Sequence, residues 1–140
     1  SVRTTDPLPG NQAEQDLDQA FRNTIAKNSQ VAGILGGSKA VFGPTGYEGY
    51  ETMMALKLAM RASGFTGKPD TDKLIAALES LKIPQGPDAP AGELIMNKKD
   101  HQGVMSLVVY KVNGQKEQVL QTIPAGQLPP VGNCDVSAAK

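Results

Sequence analysis

The spacing of apolar positions changes along the chain, and the change marks its elements. Through "AEQDLDQAFRNTIAKN", Leu17, Ala20, Phe21, Thr24 and Ile25 recur three or four apart, and Asn11 with Glu14 can form a capping pair ahead of them. A helix is predicted over 12–27. The following "SQVAGILGGSKAVFGPTG" is apolar at intervals but broken by Gly33, Gly36, Gly37, Gly43 and Pro44, so it reads as a loop with local turns. From Gly46 to Ala62, Tyr47, Tyr50, Met53, Met54, Leu56, Leu58 and Met60 give a second helix, over 46–62, whose apolar surface is wider than one stripe. In a third, over 71–82 with Asp70 or Thr71 as its cap, Leu74, Ile75, Leu78 and Leu81 sit at helical spacing until Pro84.

Beyond Pro84 the period shortens. "GELIMNKK" and "SLVVYKVNGQKEQVLQTI" are strand-like, with Asn113-Gly114 as a two-residue hairpin signal, so strands are expected at 93–97, 105–112 and 116–122. The first ten residues, with Pro7 and Pro9, read as an extended connector. The tail 124–140 has little to bury and is expected to run extended over a surface.

Composition narrows the function. Aromatic residues make up 4% of the chain and Trp is absent, so any core rests on Leu, Ile, Val, Met and Ala. Fourteen basic residues balance fourteen acidic ones without a basic stripe, which leaves nucleic acid no electrostatic hold. No apolar run approaches the roughly 20 residues of a membrane span.

Catalytic and metal chemistry find no constellation. Asp100-His101 with Cys134 suggests a nucleophile and base, but adjacent Asp and His point apart, and Cys134 lies in a tail without a rigid frame. Asp70, Asp72 and Glu79 lack calcium-loop spacing, and one His with one Cys cannot close a zinc site. The aspartates complement a helix dipole. No catalytic residue, metal or cofactor is assigned.

The two tyrosines of "GPTGYEGYETMMALKLAMRASG" raise a different possibility. Tyr50 is in register with Met53 and Met54 and is expected in the core. Tyr47, beside Thr45 and Phe42 where loop becomes helix, is expected on a concave surface, where small-molecule sites are commonly built.

Three segments, taken in order, resemble the carboxy-terminal part of periplasmic solute-binding proteins of the branched-chain amino-acid type, which serve ABC importers. They are "GYEGYETMMALKLAMRASG", a Gly-Tyr opening into a helix that ends at Gly; "DTDKLIAALESLKI", with its Ala-Leu-x-x-Leu run; and "GELIMNKKDHQGVMSLVVYKVNGQ", a Gly-opened strand, an Asp-His-Gln turn and a closing strand. The resemblance covers residues 11–123. It implies an α/β fold, a fragment of the two-lobed type I periplasmic-binding fold, with three helices followed by a strand and a β-hairpin.

By this match residues 1–10 are an inter-lobe connector, 11–102 the carboxy-terminal part of the first lobe, 103–123 a crossover and the hairpin of the second lobe, and 124–140 a tail. The resemblance further implies a non-enzymatic, extracytoplasmic protein whose precursor carries a signal peptide. Its partners would be a small solute, an amino acid or a small carboxylic acid with aromatic acids included, and a membrane permease. Phe42, Thr45 and Tyr47 are the ligand-binding positions carried over. Asp100-His101-Gln102 becomes a turn whose short side chains bond local backbone. Cys134 is free to pair with a segment upstream of Ser1, and a hairpin separated from its lobe is expected to self-associate through 105–122. A ligand-sensing domain of the same fold, regulating a partner protein, is the alternative.

Overall fold

The computed structural model describes residues 7–114, 116–129 and 135. The first helix, α1 (Gln12–Lys27), lies where the apolar spacing puts it. Asn11 caps it, its Oδ1 accepting from Glu14 N at 3.2 Å. Only half of a capping box forms, because the Glu14 carboxyl turns back to accept from Leu8 N at 2.7 Å and so fastens the connector to the helix.

The glycine-rich stretch expected as a loop contains a short helix, α2 (Ser29–Leu35), and a 3-10 turn at Gly37–Lys39. Asn28 ends α1 and caps α2 with the same residue, its side chain accepting from Gln30 N at 3.1 Å. Gly36, at φ 85°, closes α2 in a left-handed conformation that a side chain would disfavour.

Helix α3 (Gly43–Ser63) starts three residues before the expected Gly46. Pro44 does not prevent this, since the first turn of a helix needs no N–H donor. Gly64 at φ 63° ends it, with Gly64 N bonded to Arg61 O and Phe65 N to Met60 O. Helix α4 (Thr71–Glu79) is shorter than expected. Ile83 precedes a proline, which pushes it out of helical conformation, and Lys82–Ile83 instead form a strand, β1.

Asp70 stands at the cap position of α4, yet its side chain makes no capping bond. Its carboxylate takes Lys73 Nζ at 2.8 Å, Thr66 Oγ1 at 2.7 Å and Thr66 N at 3.0 Å. Lys73 first, then the Thr66 hydroxyl and amide, hold its pKa below the ordinary 3.8. A depressed folded pKa contributes stability above the unfolded value, and that stability is lost as pH falls through the folded one. Asp70→Asn is therefore expected to lower the thermal midpoint at neutral pH. The gap from the parent should close on acidification below the usual carboxylate range, in a pH series of melting curves.

Strands β1, β2 (Leu94–Met96) and β3 (Gly103–Met105) form an antiparallel sheet in the order β1-β2-β3, with Ile83 opposite Leu94 and Leu94 opposite Met105. The turn between β2 and β3 is built from its own polar side chains. Asn97 Oδ1 accepts from Lys99 N, Asp100 Oδ1 from Gln102 N, and Asn97 Nδ2 donates to Asp100 Oδ2, each at 3.0 Å. This is the local backbone bonding expected of Asp100-His101-Gln102.

After the single residue Ser106 the chain enters a separate two-stranded sheet, β4 (Leu107–Asn113) paired antiparallel with β5 (Lys116–Ile123). Asn113 faces Lys116, so the two-residue turn begins at Gly114 rather than at Asn113. A register shift between Val109 and Tyr110 bends the pair. Ala125–Gln127 add one 3-10 turn against the first sheet. Beyond Pro129 the tail, Cys134 included, lies outside the described residues except for Asp135.

The core is small and rich in alanine. Ala55 of α3 meets Ile83, Ala89 and Leu94, with Leu58, Leu81 and Met105 packed around them. The whole is a mixed helix and strand arrangement, a piece of an α/β fold.

Candidate functional site

Phe42 sits at the N-cap of α3 and lies between two rings, with its centroid 4.8 Å from Phe21 of α1 and 4.9 Å from Tyr47, edge to face with the latter. Three of the chain's six aromatic residues thus meet where α3 begins. Gly46 makes this possible, because a Cβ there would stand 3.0 Å from the Phe42 ring. Among the described residues no side chain caps this end of α3, and Thr45 is exposed on its first turn.

The accessibilities of the two tyrosines are the reverse of those expected. Tyr47 is 2% exposed, while Tyr50 is half-buried and its hydroxyl donates to Pro87 O at 3.0 Å. An open Tyr47 is expected from its place at the loop–helix junction, and a core Tyr50 from register with the bulky Met53 and Met54. The buried stripe of α3 instead runs Tyr47, Glu51, Ala55, Ala59 in steps of four. Alanines let the neighbouring chain approach closely, and Met53, off this stripe, is 63% exposed. Tyr47 therefore serves as a wall behind Phe42 and presents no open face.

One turn along α3, Glu51 connects this cluster to a second feature. Its Oε1 accepts from Ala91 N at 2.8 Å, and Asn11 Nδ2 reaches Pro90 O at 2.7 Å, so α1 and α3 both fasten the 90–91 segment. Ala91 and Gly92 form one wall of a cleft of about 310 Å³. Leu8 to Gln12 line a second wall, and Val108, Val119 and Thr122 of the hairpin the third. None of its described lining residues is ionisable. Sequence reasoning missed this cleft, because its walls come from segments far apart in the chain and carry no shared motif.

The catalytic constellations do not assemble among the described residues. His101 turns toward α4, its Nε2 3.0 Å from Glu79 Oε1, while Asp100 is occupied within the turn. Glu79 also meets Lys98 at 3.6 Å. Asp70 pairs with Lys73 and not with Glu79. No group of three potential metal ligands is found among the described residues, and no described helix is long and apolar enough to cross a membrane.

Compared with known proteins, the chain matches one family model, described as periplasmic binding protein, over residues 2–117. No curated protein and no solved structure matches it.

Proposed function

The chain belongs to the periplasmic binding proteins, and from that premise we propose that it is the carboxy-terminal part of the solute-binding component of an ABC importer. The match across residues 2–117 carries this reading. The family is extracytoplasmic, binds small solutes and is typically non-enzymatic.

Here the helices and the first sheet are assigned to one lobe and the β4–β5 hairpin to the other; because residues 103–105, expected in the crossover, pair with β2, the crossing narrows to Ser106, with the connector as the other. The break in strand pairing at Ser106 supports this division. The cleft between connector and hairpin supports it as well. Closure of the lobes over a solute is a population shift, which requires tighter binding to the closed arrangement. The closed form is what a membrane permease would receive.

The proposed solute is an amino acid or a small carboxylic acid, aromatic acids included, held at the start of α3. An uncapped helix N-terminus favours a carboxylate. The exposed Thr45 hydroxyl supplies a hydrogen bond and the half-buried Phe42 ring an apolar wall, which Tyr47 keeps in place. Among the described residues the hairpin pairs with no further strand, and self-association through 105–122 is proposed as part of the same reading.

Titration calorimetry of the mature full-length protein with leucine, phenylalanine and benzoate tests this. Saturable binding of one of these is expected. Thr45→Val should raise Kd several-fold, about tenfold at most, the worth of one hydrogen bond. An unchanged Kd in both Thr45→Val and Phe42→Ala would place the solute elsewhere. A signalling domain fused upstream, in place of a signal peptide, would favour the sensing role.

A further inference from the structure

The hairpin tip carries a chemistry unrelated to solute binding. When asparagine precedes glycine, the glycine nitrogen can attack the asparagine side-chain amide carbon. A C–N bond forms, ammonia leaves, and the resulting cyclic imide is opened by water at either carbonyl. One opening gives aspartate. The other gives isoaspartate, in which the main chain runs through the former side chain.

Two requirements govern this reaction: an uncrowded nitrogen on the next residue and a side-chain amide free to swing onto it. The described asparagines differ sharply in both. Asn11 is bonded through both amide atoms, to Glu14 N and Pro90 O. Asn97 is likewise bonded through both, to Lys99 N and Asp100. Asn23 Oδ1 accepts from Gln19 Nε2, and Asn28 Oδ1 from Gln30 N. Each of these four precedes a residue with a side chain: Gln12, Lys98, Thr24 and Ser29 respectively.

Asn113 meets both requirements. It is exposed, its side chain bonds to no described residue, and it precedes glycine. As the last paired residue of β4 it adjoins a turn that Gly114 enters at φ 64°, a conformation glycine adopts without cost. Gly114 is exposed as well, with open space where a Cβ would stand.

We propose that Asn113 is a site of spontaneous, backbone-assisted deamidation. The product places a carboxylate across from Lys116. In its isoaspartyl form it also lengthens the backbone of β4 by one methylene at its last paired residue. The Asn113–Lys116 and Val112–Glu117 pairs then lose their register, and the hairpin frays from the tip.

The test holds the full chain at body temperature in mildly alkaline buffer and maps its peptides by mass spectrometry over time. The amide-to-acid mass gain is expected first in the Asn113 peptide, as a mixture of aspartate and isoaspartate, with the peptides of Asn11, Asn28 and Asn97 unchanged. Gly114→Ala is expected to lose the conversion. Because that variant also strains the turn, Asn113→Gln, which leaves the backbone alone and disfavours ring closure, is run beside it and should lose the conversion too. An Asn113 peptide that stays amidated, conversion elsewhere ahead of it, product without isoaspartate, or a Gly114→Ala chain that converts as fast as the parent would each overturn the proposal.

Discussion

Gly92→Ala is expected to destabilise the fold by about 2–5 kcal/mol, the sum of a backbone term and a packing term. Gly92 has φ 141°, where an L side chain is strained. A Cβ built there would stand 2.9 Å from Ser106 Cβ and 3.3 Å from Ser106 Oγ. Ser106 cannot easily withdraw, since its N–H is bonded to Glu93 O at 3.0 Å and it is the one residue linking the two sheets. Urea titration of three variants separates the terms. Gly92→Ala with Ser106→Gly should recover the packing part and keep the backbone part. Gly33→Ala is the contrast: it lies in α2, has open space around the added methyl, and should be neutral or stabilising by up to about 1 kcal/mol. If Gly92→Ala falls within about 0.5 kcal/mol of the parent, the close approach of this glycine to Ser106 is not a constraint on the fold.

Helix α1 was legible to the residue because all its signals agree: an Asn cap, apolar residues at 3–4 spacing, and Lys27 at the close. The hairpin strands were legible for a similar reason, except that Met105, expected at the start of the first of them, pairs with Leu94 in the other sheet and the strand begins at Leu107. Where reading failed, tertiary contacts decided between weak local preferences. Lys82–Ile83 has too few residues to show a period, and its strand state depends on pairing with Ile95 and Leu94. Short α2 was hidden by Gly33, although Asn28 and Gly36 bracket it with a usable start and stop.

At the candidate site, sequence brought Phe42, Thr45 and Tyr47 together by adjacency alone, and could not see Phe21 arriving from α1. It also could not phase α3. A stripe of Tyr47, Glu51, Ala55 and Ala59 contains a charge and two small residues, so it reads as polar against the Met and Leu positions that surround it. Close packing selected the narrow face over the apolar one. Glu51, missed for this reason, becomes the residue on which the arrangement of α3 and the 90–91 segment depends.

Glu51→Ala is accordingly expected to cost about 2–5 kcal/mol, combining a lost buried donor–acceptor pair with the void left by the side chain. Glu51 is 1% exposed, and with Pro90 it is among the largest fully buried side chains. Removing it leaves the Ala91 N–H without its acceptor at 2.8 Å, in a segment held from the other side by Asn11. Because Ala91 lines the cleft, the loss should reach its shape as well as the stability of the fold. Glu51→Gln keeps an acceptor oxygen in place, and Glu51→Leu fills the space while orphaning the donor. The expected order of stability is parent, Gln, Leu, Ala, read from urea midpoints. Amide exchange at Ala91 adds a local readout and should quicken in the Leu and Ala variants only. A Leu variant as stable as the parent, with Ala91 still protected, would show that the carboxyl is dispensable and that apolar packing alone holds this segment against α3.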